Sequence, residues 1–302
     1  MLWDDLGIPH KRHKQVHGPS IPIIGIQVNP NLLSYSLPPD SLAFLIAELE
    51  EWLRPSFLKA STVQWRRLAG WINWALNVFP LARPGLSNVY DKLRGVNTRS
   101  GSLWVNTAVR NDLTWTLALL QSSSGLLLLD NVHWDPSTAD FTIYCDACPT
   151  GMGFWYPSLA IGFYADTPLN ANSSLIFFFE ALCVLSAIAD ACSRAAFPCR
   201  IVCFTDNSNT VDIFSSLHAL PPYNPILRAA VDLLHAGHHD LRVLHVPGDL
   251  NTVADALSRR EFNDAINLCP DLTISHFEPY HSNNDRTFSL TPPRSALGAL
   301  RK

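Results

Sequence analysis

Four carboxylates in the second half of the chain have neighbours that do not suit ordinary surface acids. Asp146 lies in FTIYCDACPTGMG, Glu180 in IFFFEALCVL, Asp206 in IVCFTDNSNTV and Asp255 in HVPGDLNTVADALSR. Each is set in an apolar segment that reads as strand or helix. An acid held in such surroundings is costly unless it is paired or binds a cation. Four of them in successive core elements point to one shared site. Carboxylate oxygens alone suit a hard divalent cation, Mg²⁺ or Mn²⁺, which takes a few carboxylates, several waters and a substrate phosphate. Two such ions roughly 3.5–4 Å apart activate a water and stabilise the leaving oxygen in phosphodiester cleavage.

Blander roles exist for three of the four. Asp206 could cap the helix that starts at Asn207, Asp255 could answer the positive end of the last helix, and Asp146 could be a turn acid. Glu180 has no such role inside IFFFEALCV. His245, ten residues before Asp255 at the end of a strand, could protonate a leaving group or help product depart. Its bland alternative is a surface histidine.

The elements that must position these residues follow from periodicity. FTIYCDA alternates, with Thr142, Tyr144 and Asp146 on one face and Phe141, Ile143 and Cys145 on the other. Thr150-Gly151 turns into MGFWYP, and LAIGFYA follows, so three strands form an antiparallel meander. A long apolar helix over 173–196, a strand RIVCFTD, helices over 207–218 and 223–237, a strand LRVLHV and a short helix Asn251–Arg260 complete the order βββαβααβα. A strand reached through a helix is normally parallel to its neighbour, so the fold class is α/β with a five-stranded mixed sheet flanked by helices.

Ahead of it lies a helical subdomain over 31–125. DSLAFLIAELEEWLR, with Asp40 or Ser41 as cap, has one stripe through Leu42, Leu45, Ile46, Leu49 and Leu53. STVQWRRLAGWINWALNVF places Trp65, Leu68, Ile72, Leu76 and Phe79 on one face, with Trp71 and Trp74 off it. Further helices are expected near 84–94 and 103–121. The run SIPIIGIQVN within 1–30 is β-like but has few local strands to pair with. The tail 263–302, with Pro270, Pro279, Pro292 and Pro293, reads as loosely ordered.

The chain of 302 residues is 47% hydrophobic and 16% charged, enough for a sizeable core and against wholesale disorder. The net charge of −4 is unevenly spread. Residues 1–110 carry 12 Lys/Arg against 7 Asp/Glu, and residues 111–302 carry 10 against 19. A basic front and an acidic back fit a nucleic-acid grip beside a metal site. Met1–His17 has no apolar core of a secretory signal, and the apolar stretch Ser174–Ala189 carries Glu180 in its interior, which disfavours a membrane span. Seven cysteines without an export signal indicate reduced thiols and an intracellular, unsecreted protein. Cys145-x-x-Cys148 with Cys199 and Cys203 could hold zinc, but alternation reads Cys145, Cys199 and Cys203 as core thiols.

The four acids in this order, together with HVPGDLNTVADALSR, resemble the ribonuclease H domain of retroelement reverse transcriptases, with gypsy-type and DIRS-type elements nearest. The pattern H-x-P-G-x-x-N-x-x-A-D-x-L-S-R carries the likeness over 137–262. The resemblance implies that Asp146, Glu180, Asp206 and Asp255 bind two Mg²⁺ and cut the RNA strand of an RNA–DNA hybrid. It also implies His245 as the mobile-loop histidine and Asn251 as a helix-start residue, with Asn207 beside it among the contacts to nucleic acid. LGIPHKRHKQ and SIPIIGIQVN resemble the end of a reverse-transcriptase palm, and WRRLAGWINWALNVFPLARPGLSNVYDKL resembles thumb and connection helices. The palm acids that hold the polymerase metals have no counterpart here, so the resemblance is to the C-terminal part of such an enzyme. Arg54, Lys59, Arg66 and Arg67, with Lys11, Arg12 and Lys14, are the candidate backbone contacts. Two rival readings stand beside the nuclease: an idle remnant that only binds nucleic acid, and a scaffold for protein partners.

Overall fold

The computed structural model describes residues 5–7, 11, 16–96, 101–128, 133–167 and 175–281. Its first unit opens with a hairpin, β1 (Ile21–Ile23) and β2 (Ile26–Asn29), turned at Ile24-Gly25, and continues into β3 (Ser34–Ser36). The single β-like run is thus two strands, and it is not an orphan edge. A sheet of order β1-β2-β3-β6 forms, closed by β6 (Leu126–Leu128) from about ninety residues downstream.

Helices fill the interval. Helix α1 (Pro39–Leu53) starts on Pro39 without a side-chain cap, rather than on Asp40 or Ser41; proline's fixed φ and missing N–H suit the first turn. It buries Leu45, Leu49 and Trp52. Strand β4 (Lys59–Ser61) leads into α2 (Thr62–Ala75), where Ser61 and Gln64 form a reciprocal capping box. Trp65, Leu68 and Ile72 are buried while Trp71 and Trp74 are partly buried, as the two-sided stripe predicts. A 3₁₀ turn, Pro80–Leu86, runs into α3 (Ser87–Leu93), and β5 (Ser102–Trp104) pairs with β4 ahead of α4 (Thr107–Ser122).

The second unit is a mixed sheet. Strands β7 (Phe141–Cys148), β8 (Gly151–Tyr156) and β9 (Ile161–Asp166) make the meander. Helix α5 (Ile176–Arg194) crosses to β10 (Arg200–Thr205), and α6 (Ser208–Ser216) with α7 (Asn224–Gly237) crosses to β11 (Asp240–His245). Strands β7, β10 and β11 are mutually parallel. Helix α5 is long and apolar enough to span a membrane by composition, yet it is packed into the core through Phe178, Ala181, Val184, Leu185 and Ile188.

Two expectations are corrected after α8 (Thr252–Arg259). The tail is not loose throughout: α9 (Phe262–Leu268) packs on α8, and β12 (Thr273–His276) pairs in parallel with β9. The sheet therefore has six strands, in the order β11-β10-β7-β8-β9-β12, and its unit runs past residue 262. A four-residue strand with one half-buried side chain has no periodic signal of its own. It exists because β9 offers an unpaired edge.

The two faces of the sheet are built differently. Ile143, Cys145, Ala147, Met152, Phe154 and Tyr156 alternate toward α5 and form the main core with it. On the opposite face, Gly151 and Gly153 let α8 come into backbone contact with β8. A Cβ on Gly153 would lie 2.6 Å from the Ser258 nitrogen and 2.8 Å from the Ala254 oxygen.

Candidate metal centre

The site forms where two parallel strands part. Pairing of β7 with β10 runs from Phe141↔Ile201 to Tyr144↔Phe204 and stops, with the Tyr144 and Phe204 rings stacked at 4.9 Å as its last rung. Asp146 is two residues past that rung on β7, and Asp206 is two past it on the β10 side. In open α/β sheets, ligands collect in such a crevice beyond the carboxyl ends of the strands. Asn251, at the start of α8, spans the opening: its side-chain N–H donates to the Cys145 carbonyl at 2.9 Å.

Three of the four acids come together. Oxygens of Asp146, Glu180 and Asp206 lie within 4.8 Å of one another, and this is the one such group of three or more potential metal ligands among the described residues. Each arrives from a different element: Asp146 from the α8 face of β7, Glu180 from the second turn of α5 on the other face, and Asp206 from the loop after β10. Glu180 reaches round the strand end, where the Ala147 N–H and the Thr205 hydroxyl favour its charged form. Its Oε2 is buried with no hydrogen-bond partner.

The electrostatics of the group are those of a cluster that lacks a counter-charge. Burial, with the negative charges of Asp146 and Asp206 adding to it, pushes the Glu180 carboxyl from 4.5 up to about 9. Burial likewise raises Asp146 from 3.8 to about 6, opposed by the Ser258 hydroxyl and reinforced by Asp206 and Asp255. Asp146 is 5% exposed and Glu180 5% exposed, while Asp206 faces solvent. Three carboxylates of which the buried two resist ionisation, plus one orphaned oxygen, fit a hard cation as the missing partner.

The remaining predicted residues separate. Asp255 stands in the first turn of α8, close enough for its charge to act on Asp146, but it lies outside the group of three and is paired with Arg259 at 2.7 Å. His245 ends β11 beside Thr205, exposed, and is likewise outside the group. Asn207 spends its carbonyl oxygen capping α6 through the Thr210 N–H at 3.0 Å. Asn251 is 1% exposed; its side-chain N–H straps α8 to the Cys145 carbonyl, while its Oδ1 is buried without a partner.

Of the basic candidates, Arg54, Lys59, Arg66 and Arg67 are exposed. Arg54 pairs with Glu51 at 2.7 Å, Arg66 donates to the Val96 carbonyl at 2.7 Å, and Lys59 and Arg67 lie over the Trp104 and Trp71 rings. Lys11 is exposed, and Arg12 and Lys14 lie outside the described residues. Cys145 and Cys203 are fully buried core thiols.

Sequence reasoning missed three contributors. The Thr205 hydroxyl favours the charged form of Glu180, Ser258 donates to Asp146 at 2.6 Å, and Gly248 brings backbone against Asp206, where a Cβ would meet Oδ2 at 3.1 Å. Gly248 carried a signal, as the glycine of the Pro-Gly turn, and Ser258 stood in the quoted L-S-R. Thr205 carried none.

No protein-family model matches the chain, and no curated protein matches it. Among solved structures it is similar to the foamy viral protease-reverse transcriptase in complex with dsDNA, at 10% identity and a TM-score of 0.29. The match covers 87% of this chain and 46% of that one, so the chain spans about half the length of that structure. At so distant a likeness, the functional reading rests on the residues of this chain.

Proposed function

We propose that the chain is a retroelement-derived ribonuclease H, an intracellular endonuclease that hydrolyses the RNA strand of RNA–DNA hybrids with two divalent cations. The observation that carries this reading is the convergence of Asp146, Glu180 and Asp206 at the parting of two parallel strands, with a buried Glu180 oxygen left without a partner. When bound, Mg²⁺ or Mn²⁺ supplies an activated water and stabilisation of the leaving oxygen.

The protein's own part is positional. Asp146, held by Ser258, and Glu180, buried on α5, present oxygens to the cluster, and exposed Asp206 leaves the mouth open to a phosphodiester. Asp255 completes the acidic set at the rim, where Arg259 moderates its charge. His245, exposed at the end of β11, would hand a proton to a departing oxygen. The net charge of +5 over residues 1–110 supplies the duplex grip, with Arg54, Lys59, Arg66 and Arg67 on phosphates.

Cleavage of an end-labelled RNA–DNA hybrid, with duplex RNA, duplex DNA and single strands alongside, tests the reading. Cutting of the hybrid's RNA strand alone, dependent on Mg²⁺ or Mn²⁺ and stopped by chelation, is expected. Asp206→Asn should keep the fold and lose at least the roughly 10–100-fold that removing even an outer partner of a metal ligand costs. Hybrid binding without cutting by the wild type would favour the idle remnant instead.

A further inference from the structure

We propose that Ser258 is a positioning residue of this centre, holding the Asp146 carboxylate in the orientation in which it takes a divalent cation. The inference rests on the metal-centre reading above. Ser258 is fully buried, and its hydroxyl lies 2.6 Å from Asp146 Oδ2 and 2.9 Å from the Asp255 carbonyl. A hydroxyl has one proton, and the shorter, charge-assisted contact to a carboxylate takes it. Oδ2 is thereby committed to α8, and Oδ1 is the oxygen left for a ligand.

The contact is prepared by the fold around it. Gly151 and Gly153 admit α8 so closely that a Cβ at either would lie 2.4 Å from the Ser258 oxygen or 2.6 Å from its nitrogen. The Cys148 thiol donates to the Ser258 carbonyl at 3.2 Å, fixing the same residue from β7. Ser258 also sits on the helix that carries Asp255, three residues on. One helix thus sets the orientation of one acid and the position of another.

The test is a titration of the full chain with Mn²⁺, followed by electron paramagnetic resonance of the free ion, with thermal melts in chelator to check folding. Wild type should bind Mn²⁺, and Glu180→Gln should weaken that binding. Ser258→Ala should lower the affinity by roughly 10-fold, as loss of an outer-shell hydrogen bond to a metal ligand does. Ser258→Cys, similar in volume but a weaker donor, should fall between the two. Val253→Ala, which removes packing from the same helix and no hydrogen bond to an acid, should melt lower yet keep the wild-type affinity. A folded Ser258→Ala or Ser258→Cys with wild-type affinity overturns the positioning role and leaves the metal centre standing. Should Ser258→Ala not fold, Ser258→Cys decides alone. Absence of Mn²⁺ binding by the wild type would sink the metal centre, and this role with it.

Discussion

Glu180 shows how a single residue can report a function. A carboxyl inside an apolar helix has to be neutral, paired or bound to a cation. Here one oxygen is buried without a hydrogen-bond partner, and two other carboxylates crowd it. Its folded value, about 9, is above the ordinary 4.5, so the metal-free fold keeps a proton that the unfolded chain releases. The native state therefore binds more protons than the unfolded one across that window, and stability falls as pH rises through it. The contribution is whole below about 4.5 and gone above about 9. Without metal, the melting temperature of Glu180→Gln should draw ahead of wild type as pH rises from about 5 to 8. Mg²⁺, which needs the ionised form, should raise the wild-type melting temperature more at the upper end. Melts with and without chelator would show it, and a gap between the two proteins that does not change with pH would refute the assignment.

At the scale of elements, the decisive contact is α8 on β7 and β8. It brings Ser258 and Asp255 to Asp146, and it depends on glycines that leave the sheet face bare. Gly153→Ala would drive a methyl into the Ser258 nitrogen, the Leu257 Cβ at 2.7 Å and the Ala254 oxygen, two of them backbone atoms that cannot turn aside. Such overpacking costs about 1–3 kcal/mol. The expected result is a lower urea midpoint together with weaker Mn²⁺ binding, since α8 must move off the sheet. A variant with both properties unchanged would mean that α8 sits elsewhere. Strand β12 belongs to the same scale: it covers the β9 edge, and Phe277 just beyond it packs on Phe154 at 4.8 Å.

At the scale of the whole molecule, the helical unit and the sheet unit are joined by polar bonds, of which Asp112–Arg228 and Asn224–Pro84 are buried. Asp112 of α4 takes Arg228 of α7 at 3.3 Å and the Asn88 backbone and amide at 3.0 and 2.8 Å. Trp115 donates to Asp232 at 2.7 Å, and Asn224 to the Pro84 carbonyl at 2.9 Å. Asp112→Ala removes the carboxylate that Arg228 meets inside the join, and breaking a buried pair in this way costs up to about 3–5 kcal/mol. Urea unfolding of the variant should show that loss or split into two transitions, whereas a wild-type curve would show that the pair does not hold the units together. The same join would carry the basic grip to the site. Reversing Arg66 and Arg67 to Glu should weaken hybrid binding and flatten its dependence on salt, because fewer counterions are released. An unchanged slope in filter binding would move the grip to another surface.

What the sequence determined by itself was local. The two-sided stripe of α2, the meander β7–β9 and the opposite facing of Cys145 and Asp146 all follow from spacings of a few residues. So did the candidate acids, because their apolar neighbours are adjacent in the chain. Tertiary structure decided what spans distance. Ser258 meets Asp146 across 112 residues, Asp112 meets Arg228 across 116, and β3 meets β6 across the whole helical unit. It also turned Asn251 inward, since the Cys145 carbonyl it satisfies is freed only where β7 and β10 part. Periodicity records which face of an element is buried and is silent about which other element buries it. That choice is made by chain closure and packing of the folded molecule, and the cluster of Asp146, Glu180 and Asp206 stands where those choices meet.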